Sequence, residues 1–340
     1  LITGIFLSLN AGISHDEYHE QLNWEINLKA IKNFYQTGYY KDLLEYKDRY
    51  HGIGFNFLSQ PFQYLIKDFL LSYLDINEYG SILIAKHPVI FILFFISSLF
   101  FYKICIIFFN NKNFALISLF IYLLYPYFLG HSFINPKDIP FLSFWVISTY
   151  VLCKILKKLY KEEPVPIKYI VYISISTSFL ISIRIVGILI LLQFLIFIIT
   201  FNEIKNKSFF NLIKNNIKNL FILLFTLVLF LYLLNPIFWH DPKEIVNSLK
   251  WMSKYQQDVS TLTLGEYMKS LNLPASYYFI WLFFKLPILI ILGFFIFPFL
   301  EKKFIKNNLN KILTYSLIFT CLIILFLFIL FDVAIYNEIR

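Results

Sequence analysis

"PVIFILFFISSLFFYKICIIFF", Pro88 to Phe109, is an apolar run interrupted by one charged residue. A helix needs roughly 20 apolar residues to cross a bilayer, and inside lipid a chain must satisfy its own backbone hydrogen bonds. The run therefore predicts a transmembrane helix. Comparable runs lie at 1–13, 114–131, 139–157, 169–184, 186–201, 220–238, 281–299 and 312–331. Nine spans follow, the first of them cut short. The division near Arg184–Gly187 separates two helices set close together.

The rest of the composition agrees. Charged residues are 15% of the 340 and hydrophobic residues 59%. A soluble domain carries about a quarter charged residues, so this chain lacks the polar surface that water demands, and its solvent is a lipid bilayer. Lys and Arg outnumber Asp and Glu by 30 to 21, yet the excess is no nucleic-acid footprint, because it falls in short loops between the runs. Those loops hold Lys112; Lys154, Lys157, Lys158 and Lys161; Lys205, Lys207, Lys214 and Lys218; and Lys302, Lys303, Lys306 and Lys311. The positive-inside rule makes that side cytoplasmic. The expectation is an all-α, multi-pass protein of the plasma (inner) membrane. Cys105, Cys153 and Cys321 sit in or at the ends of apolar runs, so no disulfide framework is expected.

The longer segments then share the other face: the first extracytoplasmic loop, 14–87; the short turn 131–138; a second large loop, 239–280; and the terminal YNEIR. Together with the spans they predict one transmembrane catalytic domain over 1–340, truncated at both ends. Within 14–87, NLKAIKNFYQ and FQYLIKDFLLSYL space apolar residues at i, i+3 and i+4, which predicts interfacial helices. Trp239, Tyr277, Tyr278 and Trp281 suit an aromatic belt at the membrane surface.

Four places on that face carry candidate chemistry. The first is GISHDEYHEQ, where His15, Asp16, Glu17, His19 and Glu20 crowd the end of an apolar run. A zincin would need H-E-x-x-H, but Asp16 stands where the general-base Glu belongs; a catalytic carboxylate and a solvated loop also fit. The second is GHSFINPKDIPF, Gly130–Phe141. Pro140 falls in the first turn of the next helix and Asp138 at its N-cap, an ordinary structural position. The same helix start, with Lys137 beside it, also suits a phosphate or a metal-bridged phosphate. The third is Arg184, a guanidinium at the edge of an apolar span. The chain has three arginines, Arg49, Arg184 and Arg340, and a bidentate phosphate contact is one reason to use Arg over Lys. Ser174, Ser178 and Ser182, just before it, form a small-residue stripe suited to close helix packing. The fourth is His240 and Asp241 in LNPIFWHDPKE, which line a site beneath the loop or simply begin a helix.

The acidic Asp16-Glu17 pair, Asp138 in NPKDIPF, the membrane-edge Arg184 and the aromatic YYFIWLFFKLP together resemble the GT-C membrane glycosyltransferases. The resemblance is to the family of protein O-mannosyltransferases and lipid A aminoarabinose transferases (glycosyltransferase family 39-like), and YNEIR resembles the start of its Y-x-x-x-R-H segment. It implies a GT-C-like helix bundle and inverting transfer of a hexosyl or pentosyl group from a polyprenyl-phosphate-linked donor. The acceptor is a protein, lipid or glycan at the extracytoplasmic face; protein glycosylation and lipid A modification are both within the family. It makes Asp16 the base, with Glu17 orienting Asp16 or the acceptor. Lys137, Arg184 and Arg340 neutralise the donor phosphate, and Asp138 supports them or binds a divalent cation, the metal being left open. The competing readings are a polytopic transporter, which would place ionisable residues near mid-membrane, and an intramembrane metalloprotease.

Overall fold

The computed structural model describes residues 1–73, 76–254, 260–270, 273–305 and 307–331. About 81% of the described residues are helical. The helices are α1 (Ile2–Leu9), α2 (His15–Thr37), α3 (Lys41–Glu45), α4 (Gly54–Tyr73), α5 (Glu78–Ile84) and α6 (His87–Phe109). There follow α7 (Lys112–Leu124), α8 (Pro126–Ile134), α9 (Asp138–Tyr160), α10 (Ile167–Ile183), α11 (Leu189–Lys205) and α12 (Phe209–Asn215). The remainder are α13 (Ile217–Leu234), α14 (Glu244–Lys254), α15 (Ser276–Lys285), α16 (Ile288–Phe304) and α17 (Asn308–Leu330). Two compact units divide them: Leu1–Ile190 with Leu212–Met252, and Leu191–Asn211 with Ser253–Arg340.

Among the described residues five helices are long and apolar enough to cross a membrane, or up to seven if each of two bent pairs is one span. The nine expected spans shrink for three reasons. The first, α1, has only 8 residues. α10 has 17 and is mostly buried among its neighbours; a helix packed inside a bundle need not match the bilayer thickness. The runs at 114–131 and 281–299 are broken by proline. α7 and α8 bend by 56° at Pro126, and α15 bends by 111° from the helix that begins after Pro287. In each case the residue before the proline, Tyr125 or Leu286, is extended, as the steric clash with the proline ring requires.

The first unit is built around α10, which packs on α9 and α13. The serine stripe makes that packing possible. Ser174 Oγ donates to the Leu223 carbonyl at 3.1 Å and Ser178 Oγ to the Leu227 carbonyl at 3.0 Å, both on α13. Asn235 Nδ2, just past α13, donates to Ser182 Oγ at 2.7 Å. On the other side Ser148 of α9 meets Ser176 at 2.9 Å. Small side chains let the backbones approach and hydroxyls then bridge them. The starts of α6 and α9 and the ends of α8, α10 and α13 thereby come to one end of the bundle. The segment 14–87 folds over that end as α2–α5, with Tyr40, Leu43, Tyr50, Ile237 and Phe238 in a shared core.

In the second unit the all-α expectation meets an exception. Ser260–Thr263 and Glu266–Lys269 form an antiparallel hairpin. Leu264 and Gly265, both at positive φ, make its two-residue turn. Tyr277 and Tyr278 do not join a surface belt: they are buried against Trp281, Leu325 and Phe328. Their rings fill the space between α15 and α17, where large apolar area is best removed from water.

Residues 52–54 run directly over the C-terminal end of α10. A Cβ on Gly52 would fall 2.4 Å from the Ser182 carbonyl oxygen, and one on Gly54 would fall 2.8 Å from Ser182 Cβ. Gly52→Ala is therefore expected to lower stability by about 1–3 kcal/mol, the ordinary cost of overpacking. Gly130→Ala, where an added methyl meets nothing within 4 Å, should not lower it. Thermal unfolding of the two variants side by side in detergent checks the contrast.

Candidate functional site

The site begins with four residues, Ser14-His15-Asp16-Glu17. They form a capping box: Glu17 Oε1 accepts the Ser14 backbone N–H at 2.6 Å, satisfying a donor that a helix start would otherwise leave open. α2 consequently starts at His15, well before the apolar spacing at Asn27–Gln36 would place it. Asp16 and Glu17 sit in its first turn, where the helix dipole favours carboxylates.

The two acids then part company. Glu17 Oε2 lies 2.8 Å from His87 Nε2, with the side chains 2% and 0% exposed. His87 Nδ1 donates to the Ser8 carbonyl at 3.0 Å, which fixes the ring. Removing one partner from such a buried pair costs about 3–5 kcal/mol, so Glu17 is held in place. Asp16 stands one position earlier and is exposed. One turn further on, Glu20 accepts from Lys137 Nζ at 2.6 Å.

Lys137 comes from the turn between α8 and α9. There Asn135 Oδ1 accepts the backbone N–H groups of Lys137 and Asp138, at 3.0 and 2.8 Å. Asn135 thus serves the helix start, and Asp138 is not the N-cap but the first residue of α9. Two donors that a phosphate would have used are taken. The carboxylate of Asp138 is turned sideways instead: Oδ2 accepts from Asn135 Nδ2 at 2.9 Å and Oδ1 pairs with Arg184 Nη2. Pro140 falls in the first turn, as expected.

Arg184 occupies the break between α10 and α11. It is extended and followed by a short 3₁₀ turn at Ile185–Ile188, so the split near Arg184–Gly187 is present. A guanidinium at the C-terminal end of α10 is favoured by the helix dipole. The Arg184–Asp138 pair is about one-third exposed, 33% and 28%. Water screens a pair at that exposure toward the 0–1 kcal/mol of a surface ion pair. An incoming anion can therefore compete with Asp138.

His51 completes the cluster. It is within electrostatic reach of Lys137, Arg184, His19 and Asp48, and its ring packs edge-on to His19 at 5.3 Å. Burial pushes its pKa down to about 3, with Lys137 the next largest cause and Asp48 opposing. The ring is therefore neutral beside two cations. His51 and Arg49 border a shallow cleft that also touches Ile181, Ile185 and Asn235 around Arg184.

Of the residues read from sequence, Asp138 and Arg184 meet directly, Lys137 reaches α2 through Glu20, and Glu17 holds the helix that carries Asp16. Arg340 lies outside the described residues. His240 and Asp241 engage elsewhere: His240 contacts the Tyr40 ring, and Asp241 Oδ1 accepts the Lys243 N–H in the turn leading to α14. Asp48, His51, Lys86, His87 and Asn135 were missed, and Glu20 was read only as part of the acidic cluster, without its partner Lys137. Lys86-His87 at the head of an apolar run and the S-x-x-E of the capping box were the available signals. Among the described residues no group of three or more His, Cys, Asp or Glu is placed to hold a metal ion. The donor set at Asp138, already shared with a guanidinium and an amide, does not fit a divalent cation. No protein-family model, curated protein or solved structure matches the chain.

His51 generates a pH dependence of defined sign. Unfolded histidine titrates near 6.5, so below that the unfolded chain binds a proton that folded His51 refuses. Stability is then lost as pH falls from about 6.5 toward 3, by up to about 1.4 kcal/mol per unit. The thermal midpoint of His51→Gln is expected to drop less than the parent's between about pH 7 and pH 5. Equal drops in the two proteins would contradict the burial of a neutral ring.

Proposed function

We propose that the protein is a membrane glycosyltransferase of GT-C type, moving a sugar from a polyprenyl-phosphate donor to an acceptor at the extracytoplasmic face with inversion. One observation carries the reading: residues 16–20, 137–138 and 184, distant in sequence, meet at one end of the helical bundle in alternating charge. In the first unit the opposite helix ends bear Lys112, Lys154, Lys157, Lys158 and Lys161, and the positive-inside rule assigns those to the cytoplasm. The cluster then faces outward, where α2 and α4 lie along the interface. Ionisable side chains gathered at one end favour an interfacial enzyme over a transporter, which needs them at mid-membrane.

In the proposed reaction an acceptor oxygen attacks the anomeric carbon while Asp16 takes its proton. The bond from that carbon to the phosphate oxygen breaks, and its electron pair leaves with the lipid phosphate. Charge on that oxygen grows in the transition state, and Arg184 and Lys137 stabilise it. The phosphate takes over Arg184 from Asp138 and Lys137 from Glu20; each carboxylate holds its cation in place until then. Glu17, locked to His87, fixes the turn that aims Asp16. His51 adds no charge and so leaves the phosphate to the two cations.

Transfer from synthetic polyprenyl-phosphate sugars, on protein matched for folded yield, tests this. Asp16→Asn keeps size but loses the proton acceptor and should lower the rate about 10²–10⁴-fold. Activity within threefold of the parent would remove Asp16 as the base. Arg184→Lys keeps charge but loses the forked geometry, and a fall of about ten- to hundredfold in turnover or donor affinity is expected. Unchanged kinetics would remove the phosphate contact. A parent protein that transfers no sugar but moves a solute into vesicles would replace this reading with the transporter.

A further inference from the structure

α2 turns a second polar stripe into the protein. Gln21, Trp24 and Glu25 follow the i, i+3, i+4 spacing of one helical face, about 110° around the axis from the Asp16–Glu20 stripe. They line one wall of an open cavity, and Gln60, Gln63 and Tyr64 of α4 line the facing wall. Its enclosed space is about 70 Å³, room for the hydroxyl-bearing edge of a ring whose remainder stays at the mouth.

Most of the wall is already committed. Gln21 Nε2 donates to Glu25 Oε1 at 3.1 Å, and Gln21 Oε1 accepts from the fully buried Lys86 at 3.1 Å. Gln63 Nε2 donates to the Ile82 carbonyl at 2.9 Å. These bonds hold the cavity's shape. Two of the residues that line it carry a buried polar atom with no protein partner: Trp24 Nε1, a donor, and Gln60 Oε1, an acceptor. Trp24 is 3% exposed and its ring is pinned edge-on by Phe57 at 5.1 Å, so the N–H cannot swing out to water. Buried polar groups normally find partners, and the pair left here asks for a group that accepts from one and donates to the other. A hydroxyl does both.

The remaining chemistry narrows the ligand. Glu25 at the wall opposes an anion, and Lys67 at the rim, 5.5 Å over the Tyr64 ring, opposes a cation. Tyr64, more than half exposed at the mouth, offers a flat apolar face to one side of a ring. We propose that this cavity binds a neutral, hydroxyl-bearing sugar ring, held through the Trp24 indole N–H and Gln60 Oε1. Trp24 stands about 12 Å along the helix from Asp16, so a ring bound here is not the one transferred. Resting on the glycosyltransferase reading, it is a saccharide of the acceptor; the binding itself does not depend on that reading.

The full chain in lipid nanodiscs, with its tryptophan indoles labelled with nitrogen-15, is titrated with methyl hexopyranosides and methyl pentopyranosides. An acyclic hexitol serves as the control for ring shape. One indole resonance, assigned by its loss in Trp24→Phe, is expected to shift saturably with at least one glycoside and not with the hexitol. Gln60→Leu should weaken that binding about three- to tenfold, the range of one neutral hydrogen bond. A Trp24 resonance that ignores every glycoside well above millimolar concentration, and exchanges with water alone, would mean an ordered water only and overturn the proposal. A shift with the polyprenyl-phosphate sugar but with no free glycoside would assign the ring to the donor and overturn the acceptor role. Asp16→Asn should bind glycosides like the parent. Glycoside binding without sugar transfer would leave the cavity standing and sink the transferase reading. Transfer with an acceptor KM unmoved by Trp24→Phe would sink the acceptor role alone.

Discussion

Glu17 and His87 meet at 2.8 Å with neither side chain open to solvent, and the rest of the site depends on that contact. It joins the first turn of α2 to the first turn of α6, a surface helix to an apolar helix of spanning length. Because the His87 ring is itself tied to the Ser8 carbonyl, three segments are fixed at one point. Lys86 next door takes Gln21, one turn along α2, so the helix is fixed in rotation as well as in position. A helix pinned in both senses presents the same side chains to the same neighbours each time the chain folds.

Pinning α2 in rotation gives it two working faces. Glu20 reaches Lys137, with Asp16 one turn earlier on the same stripe, while Trp24 and Gln21 face α4. An amphipathic helix would have turned one of these faces to apolar packing and the other to water. α2 buries Glu17, Glu20, Gln21, Asn23 and Asn27 instead, and each polar group so buried needs a partner. The partners come from three different parts of the chain, so α2 acts as the hub through which the loop 46–53, the α8–α9 turn and the α5–α6 junction communicate their positions.

The second constraint is the width of the serine stripe on α10. Hydroxyls at positions 174, 178 and 182 let α13 sit close enough for hydrogen bonds to its backbone and to Asn235. Gly52 and Gly54 let the loop settle on the same helix end. Arg184 is the next residue after that crowded end, and its backbone is extended because the helix has nowhere further to run. Its guanidinium is left at an edge that is neither sealed nor fully open, which suits a cation that exchanges one anion for another.

Sequence alone determined that the chain is helical and built for lipid, that the serines of α10 pack closely, and that Asp16, Glu17, Lys137, Asp138 and Arg184 share one end of the bundle. These follow from hydrophobicity, spacing and loop charge, which act locally and can be read locally. It also placed the break at Arg184. What it could not determine was which acid meets which cation, that Glu17 is spent on a histidine seventy residues away, that Asn135 rather than Asp138 serves the start of α9, or that Tyr277 and Tyr278 are core. Each of these is a choice among partners of similar chemistry, decided by which helix faces come within about 3 Å of each other. That depends on the rotation and depth of every packed helix at once, and only the tertiary structure sets them.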